Sequence, residues 1–420
     1  MTATRGTDVE LTPRAPGTWN GPVTSYYLLV GATGLLLSIG LVMVLSSSTV
    51  DSLNTTKGAT AYAVFWDQAR YALIGLPVAW LASRLPVRFY RAIAWPALGA
   101  GVLLQLLVFT GLGIAVNGNR NWIGLAGFRM QPSEVLKLAL AVWLGSVLAT
   151  KRALLHRWLH VLVPAVVGAL GVVGLVVAGK DLGTALIIIL LAAGALFIAG
   201  VPLRMFVVAG TLVGVVIVQL AQTSNRMARI TALFSPHCDA MNQCYQTVRG
   251  LYALASGGLT GEGLGQSRQK WAGLPEAHND FIFAVIGEEL GLLGAVLVIV
   301  LFAVLAVAMV RVIRRHPDPF VQISTAGIAT WILGQALINV GVVIGVFPVV
   351  GLPLPLVSAG GSALITTLVA LGVVVSFARS EPGAPEALHA RVGAVQRSLA
   401  VIGRARSPRT GAARGGGRRG

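Results

Sequence analysis

The chain has 420 residues, of which 55% are hydrophobic and only 11% are charged, and its mean hydropathy is +0.78. Soluble domains carry about 25% charged residues, so this composition excludes a water-soluble globular protein and indicates an integral membrane protein. The formal net charge is +17, which in a membrane protein indicates basic segments on one side of the bilayer rather than nucleic-acid binding.

The first apolar block follows a polar stretch, residues 1–23, which we predict to be a disordered cytoplasmic tail. No small-residue cleavage site follows the core of this block. The block is therefore predicted to be a membrane span and not a signal peptide that is removed.

Further apolar blocks of about 18 residues or more follow along the chain, the length that crosses a hydrocarbon core of about 30 Å. Because lipid cannot satisfy backbone polar groups, such blocks form helices or closed barrels, and the lack of strict alternation favours helices. We therefore predict an all-α membrane domain over residues 24–380 with ten transmembrane helices. The spans are 24–48, 63–83, 92–112, 132–150, 161–179, 182–200, 204–223, 281–310, 321–347 and 361–379.

Lys and Arg in the short loops predict the orientation. With ten spans they all fall on one side, which is therefore cytoplasmic, and both termini lie inside the cell. These residues are Arg84, Arg88, Arg91, Lys151, Arg152, Arg157, Arg204, Arg311, Arg314 and Arg315. The tail 381–420 holds eight Arg and two Glu and is rich in Gly, so we predict that it is disordered. Its role is either that of a solvated tail or that of a segment that contacts anionic lipid or a partner.

The segment 224–280, between the seventh and eighth spans, is the longest predicted extracytoplasmic loop, and its apolar residues predict an ordered, partly helical cap on the membrane surface. Both cysteines, Cys238 and Cys244, fall in it. Because the space outside the cytoplasmic membrane is oxidising, we predict a disulfide between them, the alternative being two free thiols. Two cysteines form an incomplete metal-ligand set, so no metal site is predicted there.

Several ionisable residues lie within or at the ends of spans, where they are functional candidates by default. Glu134 and Lys137 share one helix face, either as a structural ion pair or as a pair that positions a catalytic group. Asp181 lies at the predicted outer turn between spans five and six, which is either a plain interfacial turn or part of a site. Glu288 and Glu289 are predicted to be buried, and Glu288 stays protonated unless it finds a partner.

The densest group of polar residues precedes the eighth span. Residues 257–266 are rich in Gly, whose backbone N–H groups can approach an anion closely. Arg268 and Lys270 follow, with charge suited to phosphate. His278 and Asp280 then reach the mouth of the span, where Asp280 is either a simple helix cap or a functional carboxylate.

A second polar patch occupies the predicted irregular loop 113–131, with Arg120 and Trp122 near its centre. Irregular backbone at this depth is tolerated where it lines a cavity. Together the two patches predict an outward-facing cavity open to lipid, with cations for a phosphate and a carboxylate that can act as a base. A substrate with a lipid tail and an anionic head fits this description.

Four long motifs resemble the SEDS family, the FtsW and RodA type proteins, and their form is similar to the actinobacterial division-site branch. They are residues 121–137, residues 181–184, residues 274–291 and the pair 338–341 with 353–362. The resemblance covers residues 25–380. Two positions depart from the common family pattern, since Lys180 stands where many members have Pro and Ala359 where many have Tyr.

The resemblance implies a peptidoglycan glycosyltransferase that polymerises lipid II outside the cytoplasmic membrane, with Asp280 as the essential aspartate. The residues expected to support Asp280 are Glu134, Lys137, Asp181, His278 and Glu288. Those expected to bind substrate or pyrophosphate are Arg120, Trp122, Arg268, Lys270 and Ser358. Asp280 is expected to act as the base or to hold a divalent cation, which is the only cofactor anticipated.

The expected partners are lipid II, a growing glycan on undecaprenyl pyrophosphate, a class B penicillin-binding protein and other divisome proteins, at the division septum. No nucleic acid is expected. Two other classes of function compete with this one. The first is a lipid II flippase, for which the buried ionisable residues would be suitable. The second is a non-catalytic scaffold that recruits a transpeptidase and would not require Asp280.

Overall fold

A computed structural model describes residues 21–49, 52, 61–116, 119–125, 128–221, 244–271, 274–388 and 390. Long helices dominate these residues. They are α1 (Thr24–Ser47), α2 (Ala63–Arg84), α3 (Val87–Leu107), α4 (Pro132–Thr150), α5 (Trp158–Ala178), α6 (Leu182–Ala199), α7 (Leu203–Ala221), α8 (Tyr245–Ser256), α9 (Ile282–Arg315), α10 (Pro319–Val343) and α11 (Ser362–Arg379).

A helix lies over each of the ten segments that hydropathy predicted to be spans. Among the described residues, eight helices are long and apolar enough to cross a membrane, namely α1, α3, α4, α5, α6, α9, α10 and α11. The chain is therefore a helical, multi-pass membrane protein, while the count of ten spans stays a prediction. Within the predicted cap 224–280, the described residues include α8, which packs against α9 and α10.

The centre of the bundle is formed by α4, α10 and α11. Helix α10 packs against α4, α6 and α9, while α11 packs against α2, α1 against α9 and α3 against α4. In lipid there is no hydrophobic driving force for the association of helices, so close van der Waals contact at small residues contributes much of the packing energy. At Gly145 of α4, an added Cβ would lie 1.9 Å from Ser324 Oγ and 3.1 Å from Phe320 O of α10, so a larger residue would force Ser324 to move.

The described residues of the segment 113–131 depart from the predicted all-α fold, because they form an antiparallel sheet and not an irregular loop. Its strands are β1 (Gly113–Val116), β2 (Asn119–Leu125) and β3 (Phe128–Met130), in the order β1-β2-β3. Ile114 pairs with Trp122, and Gly124 with Arg129. Strands of three to seven residues are too short for a hydropathy pattern to separate from a polar loop.

Contacts between the segments that connect the helices define the two ends of the bundle. At one end, here named the site end, the segments 108–131, 179–181, 257–281 and 344–361 meet one another and the adjoining helix ends. At the other, the basic end, Arg91 pairs with Asp318 at 2.7 Å and Arg315 with Glu381 at 3.7 Å. Most of the predicted functional residues therefore fall at one end of the molecule, opposite the arginine-rich end.

Candidate active site at one end of the bundle

Asp280 is half-buried and lies in a turn just before α9. The N-cap residue of α9 is Phe281, so Asp280 does not occupy the capping position that the sequence allowed. Three consecutive carbonyl oxygens at this turn accept hydrogen bonds from other segments of the chain. His278 O accepts from Ala359 N at 3.0 Å, and Asn279 O accepts from Ser358 Oγ at 2.7 Å. Asp280 O accepts from Asn339 Nδ2 at 2.8 Å.

The segment 344–361, here named the α10–α11 loop, supplies the surroundings of this turn. Its Gly351 adopts φ +72°, and a Cβ added there would lie 3.6 Å from Asp280 Oδ2, so the loop backbone runs directly beside the carboxylate. The loop is held from α2 by Gln68, whose Nε2 donates to Ser358 O at 3.0 Å and whose Oε1 accepts from Gly360 N at 3.2 Å. This carboxylate therefore sits on a fixed backbone and not on a free loop.

Glu134 and Lys137 form the ion pair that their spacing predicted, with 2.9 Å between Lys137 Nζ and Glu134 Oε1. The Lys137 side chain is 1% exposed, and its Nζ lies 4.6 Å from the centre of the Trp331 ring. It also donates to Gln335 Oε1 at 3.2 Å, while Gln335 Nε2 donates to Pro353 O at 2.8 Å. The pair is thus connected through one amide to the α10–α11 loop beside Asp280.

Asp181 joins the sheet and α4 to the start of α6. It caps α6 through Thr184 N, and its Oδ2 accepts from Asn121 Nδ2 at 3.0 Å, Gln131 Nε2 at 2.9 Å and Thr184 Oγ1 at 2.8 Å. The preceding Lys180 has φ +65°. Proline is fixed near −65°, so this turn differs from any that a proline at position 180 would allow.

Helix α9 is broken at Gly291, which has φ +67° and ψ −167°, a conformation that favours Gly. The break leaves backbone groups of α9 without helical partners, and the Gly-rich segment 257–266 satisfies them. Glu288 O and Glu289 O accept from the N–H groups of residues 262 and 263 at 3.0 and 3.1 Å. The N–H groups of residues 292 and 293 donate back to the carbonyls of residues 258 and 259.

The prediction that this Gly-rich segment presents N–H groups to an anion is therefore wrong. The N–H groups of residues 261, 262, 263, 265 and 266 all donate to acceptors within the protein. Gly is required here for a different reason, because backbones approach closely: a Cβ at Gly261 would lie 2.2 Å from Glu289 O. Composition alone does not separate these two uses of glycine.

Glu288 and Glu289 are fully buried, and each has found partners. Glu288 accepts from Ser267 Oγ at 2.5 Å and from Arg268 N at 2.8 Å. Glu289 pairs with Lys270 Nζ at 3.1 Å and accepts from Ser46 Oγ. Lys270 Nζ also donates to Gly265 O at 2.8 Å and to Ser46 O at 3.1 Å.

Lys270 is consequently not a pyrophosphate ligand in this structure, which corrects its predicted role. Its side chain is 3% exposed, and its charge is neutralised inside the bundle. Ser358 is corrected for a similar reason: it is 3% exposed, and its hydroxyl accepts from Leu354 N while donating to Asn279 O. Ser358 belongs to a motif and Lys270 to the polar group before the eighth span, and neither pattern shows which side chains face outward.

Two predicted phosphate ligands, Arg268 and Arg120, do lie on the surface at the site end. The Arg268 side chain is 80% exposed and its Nε lies 3.3 Å from Glu262 Oε2. Arg120 is exposed on β2 and donates from Nη2 to Thr110 O at 2.6 Å. Trp122, also on β2, is partly exposed, as is His278.

Some predictions concern residues beyond those that the structure describes. Cys244 is disulfide-bonded, but Cys238 lies outside the described residues, so their pairing stays a prediction. Most of the two predicted tails, residues 1–20 and 391–420, also lies outside. The start of the second tail is described, and Glu381 there is 1% exposed and pairs with Arg315, so the prediction of disorder over the whole of 381–420 is wrong for residues 381–388. Across the described residues, no group of three or more His, Cys, Asp or Glu side chains is arranged to hold a metal ion.

Sequence reasoning missed three buried amides that organise the site, namely Gln68, Gln335 and Asn339. Each is at most 3% exposed, and each bonds to the α10–α11 loop. The sequence did carry a signal, because an amide in an apolar span must find an internal partner. This signal is weaker than that of an ionisable residue such as Glu134 or Lys137, because a neutral amide costs less to bury in a span than a charge does.

Relatives of the chain fall in one family. The FtsW/RodA/SpoVE family model, described as cell cycle protein, matches residues 27–382. A probable peptidoglycan glycosyltransferase FtsW of Mycobacterium tuberculosis is 42% identical over 380 residues, covering 89% of this chain and 72% of the relative. The stage V sporulation protein E of Bacillus subtilis is 36% identical over 360 residues, covering 84% and 96%.

Solved structures give the same result. The rod shape determining protein RodA of Thermus thermophilus is 28% identical with a TM-score of 0.63, covering 84% of this chain and 97% of that one. A chain of a peptidoglycan synthase complex that coordinates polymerization and crosslinking is 27% identical with a TM-score of 0.68, covering 84% and 96%. The resemblance seen in the sequence motifs is confirmed, and the chain belongs to the FtsW/RodA/SpoVE family.

Proposed function

We propose that this protein is a peptidoglycan glycosyltransferase that polymerises lipid II at the outer face of the cytoplasmic membrane, for septal synthesis in cell division. Two relatives that are 42% identical to the chain are named probable peptidoglycan glycosyltransferase FtsW. The observation that carries the proposal is the clamped turn at residues 278–280, which holds a half-buried carboxylate at the site end of the bundle, opposite the basic end.

The proposed reaction joins two lipid-linked sugars. The 4-hydroxyl oxygen of the N-acetylglucosamine of lipid II attacks the anomeric carbon of the growing glycan, and Asp280 takes the hydroxyl proton. The bond from the anomeric carbon to undecaprenyl pyrophosphate breaks, so the leaving group departs with the bonding electrons and the anomeric centre inverts. Base catalysis of this kind contributes about 10²–10⁴-fold.

The two exposed arginines, Arg268 and Arg120, are proposed to bind the pyrophosphate. A guanidinium forms paired hydrogen bonds with phosphate oxygens and keeps its charge at any physiological pH. Each arginine already makes one contact within the protein, to Glu262 and to Thr110 respectively. Each contact is made by one guanidinium nitrogen, Nε of Arg268 and Nη2 of Arg120, of a group that carries five N–H donors.

Ten spans with both termini in the cytoplasm complete the proposed topology, with residues 224–280 outside between spans seven and eight. The support is the gathering of Arg91, Arg315 and Arg379 at the basic end, since cytoplasmic loops are enriched in Lys and Arg. The proposed partners are lipid II, the growing glycan, a class B penicillin-binding protein and other divisome proteins.

The test is polymerisation of lipid II by the purified protein together with its class B penicillin-binding protein. We expect glycan strands from the wild type and none from Asp280→Ala at equal expression. Asp67→Ala is the matched control, because Asp67 is an exposed carboxylate one residue from Gln68 and hence at the same end. Undiminished polymer from Asp280→Ala would refute the assignment of the base.

The competing proposal of a flippase predicts a different outcome in liposomes. Translocation of labelled lipid II that survives Asp280→Ala, with no polymer from either protein, would favour transport. The buried ionisable residues that this alternative would use are paired within the bundle, Glu134 with Lys137 at 2.9 Å and Glu289 with Lys270 at 3.1 Å. A scaffold would show neither polymer nor translocation.

A further inference from the structure

The turn that carries Asp280 is held by hydrogen bonds among its own residues and by others from distant segments of the chain. Within it, Asn279 N and Phe281 N both donate to Glu276 O, at 3.0 and 3.3 Å. Its three carbonyls, from residues 278 to 280, point away and accept from other segments. Groups distant in sequence therefore help to hold the Asp280 backbone, and two of them are side chains, Asn339 and Ser358.

Asn339 connects the turn to the α10–α11 loop with one amide group. Its Nδ2 donates to Asp280 O at 2.8 Å and to Leu352 O at 2.7 Å. Both amide hydrogens are thereby used, one on each side. Because an amide is planar and rigid, Asn339 sets the separation between Asp280 and the loop backbone that runs beside its carboxylate.

Ser358 holds the turn in the same way at the preceding residue, Asn279. Its hydroxyl donates to Asn279 O at 2.7 Å and accepts from Leu354 N at 2.7 Å. Its carbonyl is held in turn by Gln68 at 3.0 Å. The hydroxyl has a single hydrogen and donates it to Asn279 O, so in this arrangement it has no hydrogen to donate to a substrate.

Neither side chain is accessible to a substrate. Asn339 is 2% exposed and Ser358 is 3% exposed, and the donors of both are used within the protein. A role in the reaction must therefore pass through Asp280. In a reaction limited by geometry, a displacement of about 1 Å costs on the order of 10²-fold in rate.

We propose that Asn339 and Ser358 are positioning residues, which hold the Asp280 carboxylate where it meets the attacking hydroxyl. This inference rests on the proposed role of Asp280. It replaces the prediction that Ser358 binds substrate, and it gives Asn339 a function that its sequence motif did not indicate.

The test measures kcat and KM for lipid II in Asn339→Leu and Ser358→Ala, in complex with the class B penicillin-binding protein. Two controls make comparable bonds at the basic end, where Ser376 Oγ donates to Leu85 O at 2.5 Å and Gln322 Nε2 to His316 O at 2.8 Å. We expect kcat to fall about 10- to 100-fold in the site variants, with KM within about twofold of wild type. Ser376→Ala and Gln322→Leu should keep kcat.

Two results would overturn the inference. A raised KM with unchanged kcat in Ser358→Ala would return that residue to substrate binding. Equal losses of kcat and melting temperature in site variants and controls would show general packing effects. If Ser358→Ala or Asn339→Leu fails to fold, Ser358→Thr and Asn339→Asp replace them; Ser358→Thr keeps the hydroxyl and should keep kcat, whereas Asn339→Asp loses the amide hydrogens and should not.

An Asp280→Ala arm separates this inference from the function on which it rests. If Asp280→Ala keeps its activity, the proposed base is wrong, whatever the positioning variants do. If Asp280→Ala is inactive while both positioning variants match their controls, only the positioning role of Asn339 and Ser358 fails.

Discussion

Replacing Lys270 by Met separates a structural lysine from one that binds substrate. The change keeps the length of the side chain and removes its charge. Among the described side chains that pair with Glu289, which is itself 0% exposed, the Ser46 hydroxyl would then remain as its donor. Breaking a buried ion pair from one side costs about 3–5 kcal/mol, because the remaining charge is left uncompensated.

The same reasoning predicts that removing both charges is milder than removing one. In Lys270→Met with Glu289→Gln, neither charge of the pair remains, and replacing a whole buried pair is often close to neutral in stability. The double variant should therefore melt at a higher temperature than Lys270→Met alone. Arg268→Met is the matched control, since this cation is 80% exposed and exposed pairs contribute less than about 1 kcal/mol.

The assay is thermal unfolding in detergent, followed by lipid II kinetics on the variants that remain folded. We expect a large loss of melting temperature in Lys270→Met, partial recovery in the double variant and little change in Arg268→Met. A Lys270→Met protein with unchanged melting temperature and a raised KM would refute the structural assignment and restore Lys270 as a pyrophosphate ligand.

Three further predictions concern the break in α9, the start of α6 and the basic end. Gly291→Ala should destabilise the protein, because the residue has φ +67° and a Cβ there would lie 2.4 Å from Gly261 N. Gly99→Ala is the control, since a Cβ at Gly99 meets nothing within 4 Å. Equal melting temperatures of the two variants would contradict this prediction. Asp181→Ala removes a helix cap worth about 1 kcal/mol and three further hydrogen bonds, so it should lower both the melting temperature and the rate of polymerisation. An unchanged melting temperature would show that Asp181 does not hold the sheet and α4 to the start of α6. Burial lowers the pKa of His316 in the folded protein below its ordinary 6.5. The unfolded chain therefore binds a proton at His316 more readily than the folded protein does. The contribution of the neutral, buried His316 to stability is fully present above pH 6.5 and is lost as the pH falls through the folded pKa. Wild type should then lose more melting temperature than His316→Asn between about pH 7.5 and about pH 5.5, and parallel losses would show that His316 does not contribute.

Local patterns predicted the features of the fold that depend on neighbours in sequence. Hydropathy placed a helix over every predicted segment, because the need to satisfy backbone groups in lipid leaves few alternatives. The spacing of Glu134 and Lys137 predicted their ion pair, since residues three apart share a helix face. Neither inference required knowing which helices pack against each other.

The remainder depends on contacts between distant segments. Whether the glycines at 257–266 bind an anion or pair with a broken helix is decided by Gly291, which lies at least 25 residues away in sequence. The burial of Lys270 likewise depends on Ser46 at the end of α1. Asp280 was singled out by its motif, but the clamp on its backbone involves Asn339 and Ser358, which only the folded chain brings close.

The central claim is that the charge of Asp280 takes part in forming the glycosidic bond. The most direct measurement is the rate of lipid II polymerisation by Asp280→Asn. This change keeps the size of the side chain and the backbone carbonyl that accepts a hydrogen bond from Asn339. We predict a loss of about 10²-fold or more with lipid II binding and melting temperature unchanged. Polymerisation within a few-fold of the wild-type rate would contradict the claim.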